Sequence, residues 1–165
     1  KGLFKQIGGQ IAQSTQHLVH VGQSVTQSVG ERTSELVSTA IGFLGVPYRF
    51  GGNTAESGFD CSGFVRSVFK DAVGFVLPRS SVEQANATLR IDKDELKAGD
   101  LVFFNTMKRA FSHVGVYLGE GKFIHSPRAG GQVRVEDMRV PYWNVRFDGA
   151  RRVQTAALQT SQKPE

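Results

Sequence analysis

Cys61 is the single cysteine of the chain, and it stands where a cysteine can do more than fill space. In Gly58-Phe59-Asp60-Cys61-Ser62-Gly63-Phe64-Val65, glycines and polar residues lead straight into an apolar periodic segment. That pattern predicts that Cys61 sits in the first turn of a helix. Free backbone N–H groups and the positive end of the helix dipole are expected there to favour thiolate over thiol. The Cys61 N–H can also face a developing oxyanion. Asp60 fits the N-cap position; its charge opposes thiolate formation unless its side chain turns back to the helix amides.

A thiol nucleophile needs a base. His113 starts the segment Ser112-His113-Val114-Gly115-Val116-Tyr117, and His125 ends Lys122-Phe123-Ile124-His125, with Gly119-Glu120-Gly121 between them. Pairing these segments as a hairpin brings the two imidazoles to the same sheet edge. His113 can then take the thiol proton while His125 holds the other nitrogen of His113. Two other readings use the same residues. Cys61, His113 and His125 supply three acceptable zinc ligands with an open fourth position, although no C-x-x-C or H-x-x-x-H pair supports a metal. Alternatively, Cys61 is a small core hydrophobe and each histidine is structural. His17 and His20 lie in a weakly patterned segment and receive no role.

These residues need elements to position them. Leu36, Val37, Ala40, Ile41 and Leu44 share a helical face that Gly45 and Pro47 terminate. Cys61, Phe64, Val65, Val68 and Phe69 form a second, ended by Gly74, and a short helix is expected over 80–88. The second half reads as strands over 101–104, 114–118, 123–125, 133–135 and 145–153. Helices followed by a mainly antiparallel sheet of five or six strands make an α+β fold. Residues 31–153 are expected to form one catalytic domain and 154–165 a disordered tail. Residues 1–30 carry a thin apolar stripe (Leu3, Phe4, Ile7, Ile11, Leu18, Val21, Val25, Val29) and read as a partly helical tether.

Bulk properties narrow the classes. A chain of 165 residues with 39% hydrophobic content suits one domain with polar ends. The net charge of +5 favours anionic partners. Its basic residues, including the pairs Lys108-Arg109 and Arg151-Arg152, are scattered and have no interleaved aromatic ladder, so nucleic acid is not the expected partner. A single cysteine excludes an internal disulfide. No apolar run reaches the roughly 20 residues of a membrane span, and no signal-peptide pattern is present.

Taken together, the motifs resemble the NlpC family of cell-wall cysteine peptidases, a papain-like group with rearranged element order. The resembling blocks are Gly45-Val46-Pro47-Tyr48-Arg49-Phe50-Gly51-Gly52, the Cys61 segment, Leu77-Pro78-Arg79-Ser80-Ser81, Lys97-Ala98-Gly99-Asp100-Leu101-Val102-Phe103-Phe104, Ser112 to Gly119, and Phe123-Ile124-His125. The resemblance implies a papain-like fold. It also implies peptidoglycan stem peptides as substrate, as for the Spr-type murein endopeptidases of Gram-negative envelopes. It maps nucleophile, base and orienting residue onto Cys61, His113 and His125, and implies no metal or other cofactor. Tyr48 matches a tyrosine whose hydroxyl helps the oxyanion hole or touches substrate. Asp60 and Ser62 match residues that hold a stem peptide's amine or brace the helix, and bracing is the expectation here. Arg79 either faces substrate carboxylates or is an exposed loop arginine, the second being the expectation. Phe50 replaces a tryptophan common in relatives, and Lys108-Arg109 are placed to rim the cleft. A monomer in the periplasm or cell envelope, with an anchor upstream of Lys1, is the implied setting. An acyltransferase or amidase on the same scaffold, and a muropeptide-binding module without turnover, are the rival readings.

Overall fold

A computed structural model describes residues 20–154. The earlier part of the apolar stripe, His17 and nearly all of the expected tail lie outside them. Helix α1, His20–Gly42, begins well before the firm pattern at residue 31. Its docked end buries Leu36 and Ala40, while Ile41 and Leu44 of the expected face remain exposed. A docked turn already bears the nucleation cost, so a polar segment can extend from it residue by residue. After α1, Gly45 at φ +91° reverses the chain. The Gly45 N–H donates to the Val133 carbonyl and Val133 N–H to the Val46 carbonyl, stitching this loop to a segment nearly ninety residues later.

A two-stranded sheet, β1 (Asn53–Thr54) and β2 (Gly58–Phe59), leads into α2, Cys61–Val73. Asp60 caps the start of α2 by accepting from the Gly63 N–H at 2.7 Å. Gly74 ends it in the left-handed conformation, its N–H donating to the Lys70 carbonyl. Helix α3, Ser81–Asn86, is shorter than expected and starts with a reciprocal Ser80–Glu83 capping box.

The main sheet has six antiparallel strands in the order β3-β8-β4-β5-β6-β7. These are β3 (Leu89–Ile91), β4 (Leu101–Phe104), β5 (His113–Gly119), β6 (Lys122–His125), β7 (Arg134–Asp137) and β8 (Phe147–Arg152). The α+β expectation holds, and two details of it change. Strand β3 lacks an apolar run and is not foreseen; β8 supplies its hydrogen bonds. The stretch read as strand from Val145 opens instead as helix α4, Pro141–Arg146, because Pro141 occupies a first-turn position where its missing N–H costs nothing.

Strand β4 shows how the sheet divides the core. Leu101 and Phe103 join the cluster beneath α1 and α2, whereas Val102 and Phe104 join Phe123, Met138 and Trp143 on the opposite face, as period-two alternation requires. The start of α2 is packed closely as well. A Cβ on Gly63 would collide with the Gly52 carbonyl oxygen and lie 2.9 Å from the Asp60 carboxylate. Gly63→Ala is therefore expected to destabilise the fold by about 1–3 kcal/mol, read as a lower urea midpoint at unchanged m-value. An unchanged midpoint would show that this junction is loose.

Candidate active site

Helices α2 and α4 and strands β5 and β7 converge on one cleft of about 650 Å³. Cys61, the first residue of α2, and His113, the first of β5, both line it. Cys61 is half-buried, with Sγ 4.0 Å from the Ser112 carbonyl oxygen. His113 is nearly buried and His125 is completely so. His113 Nε2 lies 2.7 Å from His125 Nδ1, so the hairpin brings the two imidazoles together as expected.

The register explains why they meet. Val116 pairs with Ile124 and Tyr117 with Phe123, which sets His125 opposite Gly115 and diagonal to His113 on the same face. A Cβ on Gly115 would fall 3.1 Å from the His125 Cβ and 2.8 Å from the Phe123 ring. The glycine leaves the room in which His125 reaches across to His113.

The sequence reading passes over two further members of this cluster. Glu136 of β7 lies with Oε2 3.0 Å from His125 Nε2, accepts from Arg134 Nε at 2.8 Å, and accepts through Oε1 from the Trp143 indole N–H at 3.0 Å. Trp143 of α4 stacks on His113 and meets the His125 ring edge-on. Because the His125 ring nitrogens are engaged with His113 and Glu136, and Nε2 of His113 with His125, the expected trio retains His113 Nδ1 and Cys61 Sγ as free donors. That is one short of the three protein ligands of an open zinc site.

Asp60, Ser62 and Arg79 form a separate knot behind Cys61. Arg79 donates to both Asp60 oxygens at 3.1 and 3.0 Å, to Ser62 Oγ at 2.9 Å and to the Gly52 carbonyl at 3.3 Å. This brace agrees with the expectation for Asp60 and Ser62. It differs from the one for Arg79, whose guanidinium is engaged by Asp60 rather than free in a loop. Tyr48 lines the cleft half-buried, and Phe50 lines it 88% exposed. Lys108 and Arg109 are exposed; Thr106 and Met107 of the same loop reach the cleft.

Electrostatics alter the expected resting state. Burial pushes the Cys61 thiol up to about 11, and the nearby Asp60 charge adds to the rise. Burial is also the main reason that His113 is held well below the ordinary histidine range, with His125 adding to the depression and Glu136 opposing it. Burial thus works against charge on both groups, lifting the thiol and lowering the imidazole. The phenol of Tyr48 is raised by burial, then by Cys61 and Asp60.

The NlpC/P60 family model matches residues 45–152. This chain belongs to the NlpC/P60 family. Over 115 residues it is 46% identical to the murein DD-endopeptidase MepH of Escherichia coli, covering 68% of this chain and 42% of that protein. The E. coli murein DD-endopeptidase MepS/murein LD-carboxypeptidase is 38% identical over 120 residues, covering 73% and 62%. This NlpC/P60 chain therefore spans less than two thirds of either relative. Among solved structures, an NlpC/P60 family protein from Bacillus cereus superposes with a TM-score of 0.69 at 38% identity, covering 74% of this chain and 40% of the other. The NlpC/P60 domain of the peptidoglycan hydrolase SagA gives 0.63 at 34% identity, covering 72% and 97%.

The thiol state is directly measurable. The iodoacetamide alkylation rate of Cys61 is expected to keep rising beyond about pH 9, with a midpoint near the thiol value of about 11. A plateau reached below about pH 7 would instead reveal a preformed thiolate–imidazolium pair.

Proposed function

We propose that this chain is a cysteine endopeptidase that hydrolyses amide bonds in the stem peptides or cross-links of peptidoglycan. The observation that carries this reading is that Cys61 and His113 line one cleft while the far nitrogen of His113 is held by buried His125 at 2.7 Å. Family membership supports the substrate class, since MepH and MepS are named as murein endopeptidases.

With both groups neutral at rest, attack and proton transfer are coupled. Nδ1 of His113 takes the Cys61 proton as Sγ adds to the scissile carbonyl carbon. The Cys61 backbone N–H, at a helix start where amides lack intrahelical partners, donates to the tetrahedral oxyanion, and Tyr48 assists from the cleft wall. The imidazolium of His113 then protonates the leaving amine as the C–N bond breaks, giving an acyl-enzyme thioester. A water, deprotonated by His113, hydrolyses the thioester, and the regenerated thiol completes the cycle. Asp60, Ser62 and Arg79 brace the helix end that carries the nucleophile.

The cleft suits an anionic, partly apolar peptide. Arg128 and Arg134 line one part of it, and Phe50, Met107 and Tyr142 offer exposed apolar surface. In this reading the domain acts as a monomer in the periplasm or cell envelope and needs no cofactor.

Defined monomeric and cross-linked muropeptides incubated with the protein, followed by mass spectrometry, test the proposal. Cleavage by the wild type and none by Cys61→Ala is the expected result, and the fragment masses identify the bond. Equal cleavage by both proteins, or by neither, would contradict it.

A further inference from the structure

We propose that Glu136 is a positioning residue that fixes the tautomers of both imidazoles and leaves Nδ1 of His113 as the nitrogen able to accept the Cys61 proton. The inference rests on the cysteine-peptidase reading for its catalytic meaning; its chemical content stands on geometry alone.

An ionised carboxylate is only an acceptor, so the 3.0 Å contact between Glu136 Oε2 and His125 Nε2 places the His125 hydrogen on Nε2. Neutral His125 then has a lone pair on Nδ1, and the 2.7 Å contact there requires His113 to donate from Nε2. Neutral His113 is left with its lone pair on Nδ1. Without Glu136, the hydrogens can run the opposite way along the same two rings. His113 then carries its hydrogen on Nδ1 and cannot act as base.

The sheet builds this line directly. Lys122 pairs with Asp137 and His125 with Arg134, so Glu136 is diagonal to His125 just as His113 is on the other side. The three side chains run across β5, β6 and β7. Charge and contact both keep Glu136 ionised: it accepts from His125, Arg134 and Trp143, and the hydrogen bond from His125 is the largest influence holding its carboxyl well below the usual range. The titratable and charged groups facing the imidazoles are Cys61 from α2, each imidazole to the other, and Glu136 with Arg134 from β7; Trp143 of α4 adds an uncharged N–H donor. When His113 becomes imidazolium, Glu136 is the anion of this set that favours it, while Arg134 disfavours charge on His125.

Two variants separate tautomer from charge. Glu136→Gln retains an acceptor oxygen but no charge, whereas Glu136→Ala removes both. Long-range ¹H–¹⁵N spectra of the wild type at neutral pH are expected to show His125 and His113 both protonated at Nε2. Glu136→Gln should retain that pattern, and Glu136→Ala should show mixed tautomers. With muropeptide substrate, Glu136→Gln should lower kcat about tenfold at unchanged KM. Its acid limb should move to lower pH, because losing the carboxylate makes the imidazoles less basic. Glu136→Ala should lose at least about 100-fold. A wild-type spectrum with either histidine protonated at Nδ1, or a folded Glu136→Ala protein that keeps the wild-type tautomers, would overturn the proposal; a Glu136→Gln enzyme with unchanged kcat and acid limb would remove the part assigned to charge. The wild-type spectrum decides even where the Ala variant misfolds. The spectra also need no turnover, so failure of the peptidase reading would show separately as Nε2 tautomers in a protein that cuts nothing.

Discussion

Two imidazoles buried side by side have to share hydrogens rather than carry charge. His125 is fully enclosed and His113 almost so. Placing a charge there is costly, and an unmatched ring nitrogen costs about 1–3 kcal/mol. The three ring nitrogens enclosed in this interior each have a partner, His113 Nδ1 alone being left over, and the surrounding residues follow from that need. Gly115 gives way so that His125 can cross to the neighbouring strand. Trp143 closes over both rings and donates its indole N–H to Glu136. Glu136 terminates the line with an acceptor that cannot donate.

The nucleophile depends on a second network, built from backbone closeness rather than ring stacking. Gly63 lies so close to the Gly52 carbonyl that it accommodates no Cβ, Gly52 is blocked in the same way by the Gly58 carbonyl, and Arg79 ties the Gly52 carbonyl to the Asp60 cap. By absorbing the Asp60 charge in a guanidinium and a helix amide, the knot limits the repulsion that this carboxylate would exert on a developing thiolate. Burial still has the largest influence on the thiol and raises it. In the proposed mechanism the chemistry belongs to the pair, with His113 receiving the proton as the thiol attacks.

How much of this was legible in the chain depended on whether the signal was local. The start of α2 was readable because Asp60-Cys61-Ser62 sits between a glycine-rich turn and an apolar helical face, all within a few residues. The meeting of His113 and His125 was readable because a tight glycine turn links their strands. Glu136 was not, since its role depends on the register between β6 and β7, across a loop whose length does not set that register. Arg79 was hidden for a similar reason: an arginine after a proline looks like loop solubility until folding sets it against Asp60. Strand β3 and helix α4 show the limits of periodicity in short segments, where a neighbouring strand or a single proline decides the outcome.

The most direct measurement is mass spectrometry of the intact protein, acid-quenched in the first turnover with a defined muropeptide and then digested. An acyl adduct with the mass of the substrate's N-terminal fragment, mapped to the peptide containing Cys61 and absent when His113 is replaced by alanine, is the predicted result. Product formed at full rate with no adduct at Cys61, or an adduct that forms equally fast without His113, would contradict a thiol activated by that imidazole.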